Sequence, residues 1–129
     1  MTENGTTIPS LVSGGIMLSY NCNSTCRHCM YRCSPSAPED WMSLETLDSV
    51  YSDLKREPDL RSIHLAGGEP CLNRDLLLKA VEKAAAMCIP MAYVETNAGW
   101  CEDLEDTKRY LGRLKDAGLP ALLISVSMF

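Results

Sequence analysis

Three cysteines lie close together near the start of the chain, directly after a short apolar run. They are Cys22, Cys26 and Cys29, at the spacing C-x3-C-x2-C. Thiolates are the soft ligands that zinc and iron–sulfur clusters prefer, so this spacing predicts a metal or cluster site in a loop. Three ligands in place of four predict a cluster with one iron left open for another molecule.

A fourth cysteine, Cys33, makes a different kind of metal site an alternative interpretation. The run from Cys26 to Cys33 reads C-x2-C-x3-C and is followed by Pro35, which is close to the end of the ferredoxin run C-x2-C-x2-C-x3-C-P. It differs in the first gap, which holds three residues in place of two, and in the serine before the proline. A ferredoxin-like or zinc-binding module without further chemistry is therefore the alternative function.

The composition is that of an ordinary soluble domain. Of 129 residues, 46% are hydrophobic and 22% are charged, and the net charge is -5. An acidic chain does not offer a duplex-binding surface, so we expect no nucleic-acid partner. No apolar run is long enough for a membrane span, and the polar N-terminus does not form a secretory signal. Seven cysteines, an odd number, do not fit a disulfide framework, so we expect a cytoplasmic protein with reduced thiols.

The periodicity of the sequence predicts four strands that alternate with three helices. Short apolar runs bounded by glycine and proline predict strands at 15–20, 61–66, 90–95 and 121–126. Helical spacing of apolar residues predicts helices from Ser43 to before Pro58, from Arg74 to about Met87, and from Leu104 to Ala117. Repeated β/α units of this size give parallel strands. We divide the chain into a flexible arm at 1–13 and one domain at 14–129.

Polar or glycine-rich loops follow three of the predicted strands. The cysteines follow the first strand, Gly67-Gly68-Glu69-Pro70 follows the second, and Asn97-Ala98-Gly99 follows the third. The carboxyl ends of parallel strands meet at one edge of the sheet, where α/β proteins bind their ligands. These loops therefore predict one common site.

Together these features resemble the radical S-adenosylmethionine enzymes. The resemblance rests on the C-x3-C-x2-C spacing, on Gly67-Gly68-Glu69-Pro70 and on the β/α succession, and it covers nearly all of the chain from Gly15 onward. It implies an α/β fold of parallel β/α units that form a partial TIM-type barrel, of which this chain holds the first four strands of a (β/α)6 barrel. It also implies that Cys22, Cys26 and Cys29 hold a [4Fe-4S] cluster whose fourth iron is chelated by S-adenosylmethionine.

The resemblance further implies an activity. The reduced cluster would cleave S-adenosylmethionine to methionine and a 5′-deoxyadenosyl radical, which would abstract hydrogen from a substrate that the sequence does not identify. The protein would orient the cofactor and exclude water. Its partners would be a small-molecule or peptide substrate and an external electron donor of the flavodoxin or ferredoxin type.

Two groups of residues receive cofactor-binding roles by the same resemblance. His28 stands just before the third cysteine, where the family places an aromatic residue near the adenine. Gly67-Gly68-Glu69-Pro70 matches the turn whose backbone contacts the methionine amino group, and glycine lets the backbone approach a ligand. Without the cysteines, this turn would be interpreted simply as a strand end.

The ends of the third and fourth strands complete the expected cofactor site. Ser125 and Ser127 match the pattern through which the family holds the methionine carboxylate and the ribose, although Ser127 replaces the more familiar carboxylate. Ordinary strand residues are an equally good interpretation of these two serines. Asn97, with Glu95 and Thr96, ends the third strand, where it would reach the ribose or the carboxylate.

Other residues have simpler interpretations. We interpret His64 as a hydrogen-bonded interior residue, and Cys71 and Cys88 as small buried residues. The fourth predicted strand would be an exposed edge, which an expressed fragment, a truncated gene product or a half barrel completed by a second copy would each explain. A homodimer that covers this strand is a hypothesis.

Overall fold

The computed structural model describes residues 7–127. In chain order the elements are β1 (Ser13–Met17), α1 (Leu44–Leu54), β2 (Ser62–Ala66), a 3-10 turn (Pro70–Leu72), α2 (Arg74–Ala86), β3 (Met91–Thr96), α3 (Leu104–Asp116) and β4 (Leu122–Ile124). Within this part of the chain, no helix is both long and apolar enough to cross a bilayer.

The four strands form one parallel sheet in the order β1-β2-β3-β4. Each neighbouring pair is joined by a helix or by a loop and a helix, as expected of β/α units. The predicted α/β class is confirmed, and the arrangement is consistent with the first strands of a partial barrel.

Helix starts follow the capping residues that the sequence offers. The Ser43 hydroxyl accepts the Thr46 N–H at 3.1 Å before α1, and the Asn73 side chain accepts the Leu76 N–H at 3.1 Å before α2. The Asp103 carboxylate does the same before α3. Gly118, at φ 107°, ends α3 in the left-handed region that favours glycine.

Strand boundaries differ from the prediction because neighbouring strands decide where pairing stops. β1 begins at Ser13, two positions before the predicted start, because this residue pairs with Ser62 at the start of β2. β4 ends at Ile124, which pairs with Thr96, the last residue of β3. Ser125 and Ser127 therefore lie beyond β4 rather than in it.

The start of the expected arm lies partly outside the described residues, since 1–6 are not described. Within the described part, Leu11 donates its backbone N–H to Glu57 at 3.0 Å, and the Val12 carbonyl accepts the Arg61 N–H at 2.7 Å. Ser13 already belongs to β1. The division into an arm and a domain stays a prediction.

The two faces of the sheet have different surroundings because side chains alternate along a strand. One face packs against the helices, and its buried apolar residues include Ile16, Ile63, Leu65 and Val94. The helices contribute buried residues such as Leu47, Tyr51, Leu77, Val81, Tyr110 and Leu114. The opposite face carries the intervening residues and opens into a cavity.

Candidate cluster and cofactor site

A cavity of about 470 Å³ lies at the carboxyl ends of the strands and extends over the open face of the sheet. This volume is within the range of ordinary small-molecule sites. The residues that the sequence singled out and that line the cavity are Cys22, Cys26, His28, Cys29, Gly67, Gly68, Glu95, Thr96, Asn97, Ser125 and Ser127. The structure therefore brings the three predicted loops to one place.

The base of the cysteine loop is closed by backbone pairing. Asn21 and Ser34 form a parallel bridge, and the Cys22 N–H donates to the Ser34 carbonyl at 3.2 Å. Cys22 and Cys33 consequently lie side by side at the base and are only 7% and 6% exposed. Arg32 precedes Cys33 at φ 52°, a conformation that costs a non-glycine residue about 1 kcal/mol or more.

The other two cysteines occupy a turn farther along the same loop. The Cys29 N–H donates to the Cys26 carbonyl at 3.1 Å, and both side chains are half-buried. Both line the cavity. The loop thus presents all three predicted ligands to one space, and Cys33 adds a fourth thiol to the same wall.

The thiols differ in their readiness to ionise. Burial raises the pKa of Cys22, and the nearby carboxylate of Glu69 adds to the effect. Burial also acts on Cys29, but the backbone N–H groups of residues 31–33 outweigh it, so the pKa of Cys29 lies below its usual value. Burial, with the charge of Cys29, raises the pKa of Cys33 to about 11. Because the thiolate is the form that binds metal, Cys29 is the best prepared of these three thiols.

The turn after β2 docks onto the start of the cysteine loop. The Gly68 N–H donates to the Ser19 carbonyl at 2.8 Å, and the Glu69 N–H donates to the Asn21 carbonyl at 2.9 Å. A Cβ on Gly68 would overlap the carbonyl oxygen of Asn21, and Gly67 has φ 150°. The close approach that Gly68 permits is therefore to the protein's own chain. The contact of this turn with a methionine amino group stays a prediction.

Glu69 and Pro70 are buried behind the cavity wall rather than in it. The Glu69 carboxylate accepts hydrogen bonds from the Cys71 N–H at 3.0 Å, the Thr96 hydroxyl at 2.8 Å and the Asn97 N–H at 2.7 Å. Its side chain thus ties the turn after β2 to the end of β3. The backbone of the turn, not this carboxylate, faces the loop and the cavity.

Asn97 faces the cysteine loop. Its side-chain Nδ2 lies 2.6 Å from Asn23 Oδ1, 3.2 Å from Ser24 Oγ and 3.7 Å from Cys22 Sγ. The predicted contact with the ribose or carboxylate of a cofactor is not tested by this geometry. What the geometry does give is an amide group next to the first cysteine.

His28 and Ser127 lie at the mouth of the cavity. The Ser127 hydroxyl is 3.5 Å from His28 Nε2; the histidine is exposed to solvent and the serine is half-buried. Ser125 is anchored by its backbone, since its N–H donates to the Thr96 carbonyl at 2.9 Å. The structure therefore joins the end of the described chain to the cysteine loop across the cavity.

Sequence reasoning missed part of the cavity wall. Met17, Ser24, Met30, Tyr31, His64 and Ala66 also line it. The interpretation of His64 as an interior residue is wrong, because its half-buried ring faces the cavity and stacks on Tyr93 with centroids 4.8 Å apart. The sequence already indicates this orientation, because side chains alternate along a strand and the apolar neighbours Ile63 and Leu65 face the core.

The two cysteines that we expected to be buried and inert have different surroundings. Cys71 is buried, as predicted, whereas Cys88 is exposed, so that prediction is wrong. Cys88 comes after the last turn of α2 with φ 56°, in the left-handed region, between the helix and the buried Ile89.

The donor set fits a cluster. Thiolates are the ligands that iron–sulfur clusters take, each binding a different iron. Cys22, Cys26 and Cys29 all line one cavity, so three such ligands are available in one place.

Comparison with known proteins agrees with this donor set. The family model described as "Radical SAM superfamily" matches residues 16–129. The chain is 33% identical over 113 residues to a protein described as "Probable GTP 3',8-cyclase" from Sulfolobus acidocaldarius. That alignment covers 86% of this chain and 33% of the relative, so the chain spans about a third of the relative's length. The resemblance seen in the cysteine spacing and the glycine turn is confirmed, and the chain belongs to the radical SAM superfamily.

Proposed function

We propose that this chain forms the cluster-binding and cofactor-binding part of an enzyme that reductively cleaves S-adenosylmethionine to abstract hydrogen from a substrate. The observation that carries the proposal is the convergence of Cys22, Cys26 and Cys29 with the Gly67-Gly68 turn and the ends of β3 and β4 around one cavity. In a radical SAM protein this is the set of elements that a cluster and its cofactor need.

The residues of the chain take separate roles in this proposal. Cys22, Cys26 and Cys29 hold three irons of a [4Fe-4S] cluster, and the cavity beside them receives S-adenosylmethionine. When bound, the cluster supplies one electron to the sulfonium and an open iron to the cofactor. We assign contact with the nucleoside to His28 and Ser127, which lie at the cavity mouth.

The proposal also covers partners and setting. An external donor of the flavodoxin or ferredoxin type supplies the electron, and the substrate approaches over the open face of the sheet, near His64 and Glu95. We place the protein in the cytoplasm, where the reducing conditions keep cysteine ligands available. The homodimer that would cover β4 stays a prediction.

Anaerobic reconstitution with iron and sulfide tests the proposal. We expect about four irons per chain, release of 5′-deoxyadenosine on addition of dithionite and S-adenosylmethionine, and a change in the electron paramagnetic resonance spectrum of the reduced cluster when S-adenosylmethionine is added. Cys26→Ala should abolish the cluster. Cys88→Ala is the matched control, because Cys88 is exposed and does not line the cavity. A spectrum that does not respond to S-adenosylmethionine would contradict the proposal.

A four-cysteine cluster without cofactor chemistry is the second candidate. It is favoured by Cys33, which is buried at the base of the loop beside Cys22 and lines the same cavity. Cys33→Ala distinguishes the two candidates. Under the main proposal the variant keeps its iron and its response to S-adenosylmethionine. Under the second candidate the variant loses iron, and the wild-type protein itself shows no response to S-adenosylmethionine.

A further inference from the structure

The side chain of Asn97 has a fixed orientation. Its Oδ1 accepts the Gly99 backbone N–H at 2.8 Å, and only the oxygen of an amide can accept that bond. The NH₂ group must therefore face the cysteine loop. There its Nδ2 lies 2.6 Å from Asn23 Oδ1, 3.2 Å from Ser24 Oγ and 3.7 Å from Cys22 Sγ.

The backbone around Asn97 is held as firmly as its side chain. The Asn97 N–H donates to the buried Glu69 carboxylate at 2.7 Å, and the same carboxylate accepts the Thr96 hydroxyl. Gly99 packs closely against the loop, since a Cβ there would lie 2.7 Å from Asn23 Nδ2. The amide is thus positioned before any cofactor arrives.

An amide N–H directed at a cysteine sulfur stabilises negative charge on that sulfur. Hydrogen bonds to the sulfurs are among the factors that set the reduction potential of iron–sulfur clusters. When a [4Fe-4S] cluster accepts one electron from an external reductant, no bond is broken, and the added negative charge spreads onto the sulfurs. A donor to sulfur therefore stabilises the reduced state more than the oxidised state.

We propose that Asn97 is a positioning residue that directs an amide N–H at Cys22 Sγ and raises the cluster's reduction potential through this Nδ2–H···Sγ bond. This inference rests on the proposed cluster at Cys22. It does not depend on S-adenosylmethionine, and it gives Asn97 a role separate from contact with the cofactor.

The test is the midpoint potential of the reconstituted protein, followed by electron paramagnetic resonance during a redox titration without S-adenosylmethionine. Asn97→Ala removes the donor. Asn97→Asp removes the donor but keeps the size of the side chain and its acceptor for Gly99. We expect the one-electron reduction equilibrium constant to fall about fivefold in Asn97→Ala, less than the tenfold change that corresponds to 59 mV. The added charge of Asn97→Asp acts in the same direction, so its fall should be larger.

Asn73→Asp is the matched control. It makes the same chemical change at the N-cap of α2, where aspartate caps as well as asparagine, and Asn73 does not line the cavity. Its potential should equal that of the wild type. Equal potentials in the wild type, Asn97→Ala and Asn97→Asp would overturn the proposal, and so would loss of the cluster in both variants, which would mean that Asn97 only folds the loop. Failure of the proposed function is distinguishable, because it would appear in the wild-type protein as a missing cluster or as no response to S-adenosylmethionine.

Discussion

Gly68 stands where two stretches of backbone meet. Its own N–H and that of Glu69 pair with the carbonyls of Ser19 and Asn21, and this brings the turn after β2 against the residues that lead into Cys22. The neighbouring atoms are backbone, which cannot move aside as the end of a flexible side chain would. The smallest residue is therefore required here to place the first cluster ligand.

Gly68→Ala should destabilise the protein by about 3 kcal/mol, because the new methyl group would push the cysteine loop away from the turn. Urea unfolding of the cluster-free protein measures the change. Gly112→Ala is the matched control, since a Cβ at this mid-helix position of α3 meets no atom within 4 Å. It should stabilise the protein by roughly 0.5–1 kcal/mol. Equal effects of the two substitutions would show that the contact at Gly68 is unimportant.

Residue-scale features were predictable where the signal is local in the sequence. The spacing of Cys22, Cys26 and Cys29 is such a signal, and it is sufficient by itself to identify the loop. The contact between Asn97 and Cys22 joins positions 75 residues apart, so it required the strand order and the register. The role of Gly68 was hidden for the same reason, because nothing local shows which backbone lies against it.

At the scale of elements, the turn after β2 and the end of β3 are joined by one buried carboxylate. Glu69 is fully buried, and its two oxygens accept three hydrogen bonds, two of them from residues at the end of β3. These bonds fix the separation between the glycine turn and Asn97. The cysteine loop packs against both, so one side chain aligns all three parts of the site.

Glu69→Gln should destabilise the protein by roughly 1–3 kcal/mol, because an amide NH₂ would replace an oxygen that accepts a buried N–H or O–H group. Thermal unfolding and the iron content after reconstitution both report the change, and both should fall. Glu82→Gln, on the exposed face of α2, makes the same chemical change at the surface and should leave both values unaltered. An unaltered Glu69→Gln protein would argue against this carboxylate as the link.

Elements were predicted well in kind and order, and less well in extent. Ser43, Asn73 and Gly118 mark helix ends through local chemistry, and each acts as predicted. The extents of β1 and β4 depend on partners elsewhere in the chain. The pairing of β1 ends with that of β2, and the pairing of β4 ends with that of β3. The residues of β1 and β4 alone therefore do not specify where these strands stop.

At the scale of the whole molecule, the covered face of the sheet protects groups that lie between it and the helices. Cys71 is one of these, at 2% exposure, while Cys88 and Cys101 are exposed on the surface. Burial raises the pKa of the Cys71 thiol, and the carboxylate of Glu69 adds to the effect. A thiol with a raised pKa has less thiolate at any pH below that value.

Alkylation of the cluster-free, reduced protein should therefore separate these thiols. At mildly alkaline pH, iodoacetamide should modify Cys88 and Cys101 early, and Cys71 only after the fold opens. Mass spectrometry of the digested protein gives the rate at each position, with urea-unfolded protein as the control in which the rates become similar. A native protein that reacts as fast at Cys71 as at Cys88 would contradict the described packing.

The alternation along β2 and β3 puts the core packing and the cavity wall on different residues of the same strands. Ile63, Leu65 and Val94 hold the core, whereas His64 and Glu95 face the cavity and contribute little to the apolar packing. Natural drift or directed evolution can therefore exchange the cavity-facing set with little effect on folding. A library that varies only His64 and Glu95 should retain folded members at high frequency, and it would let a single scaffold be adapted to new small molecules.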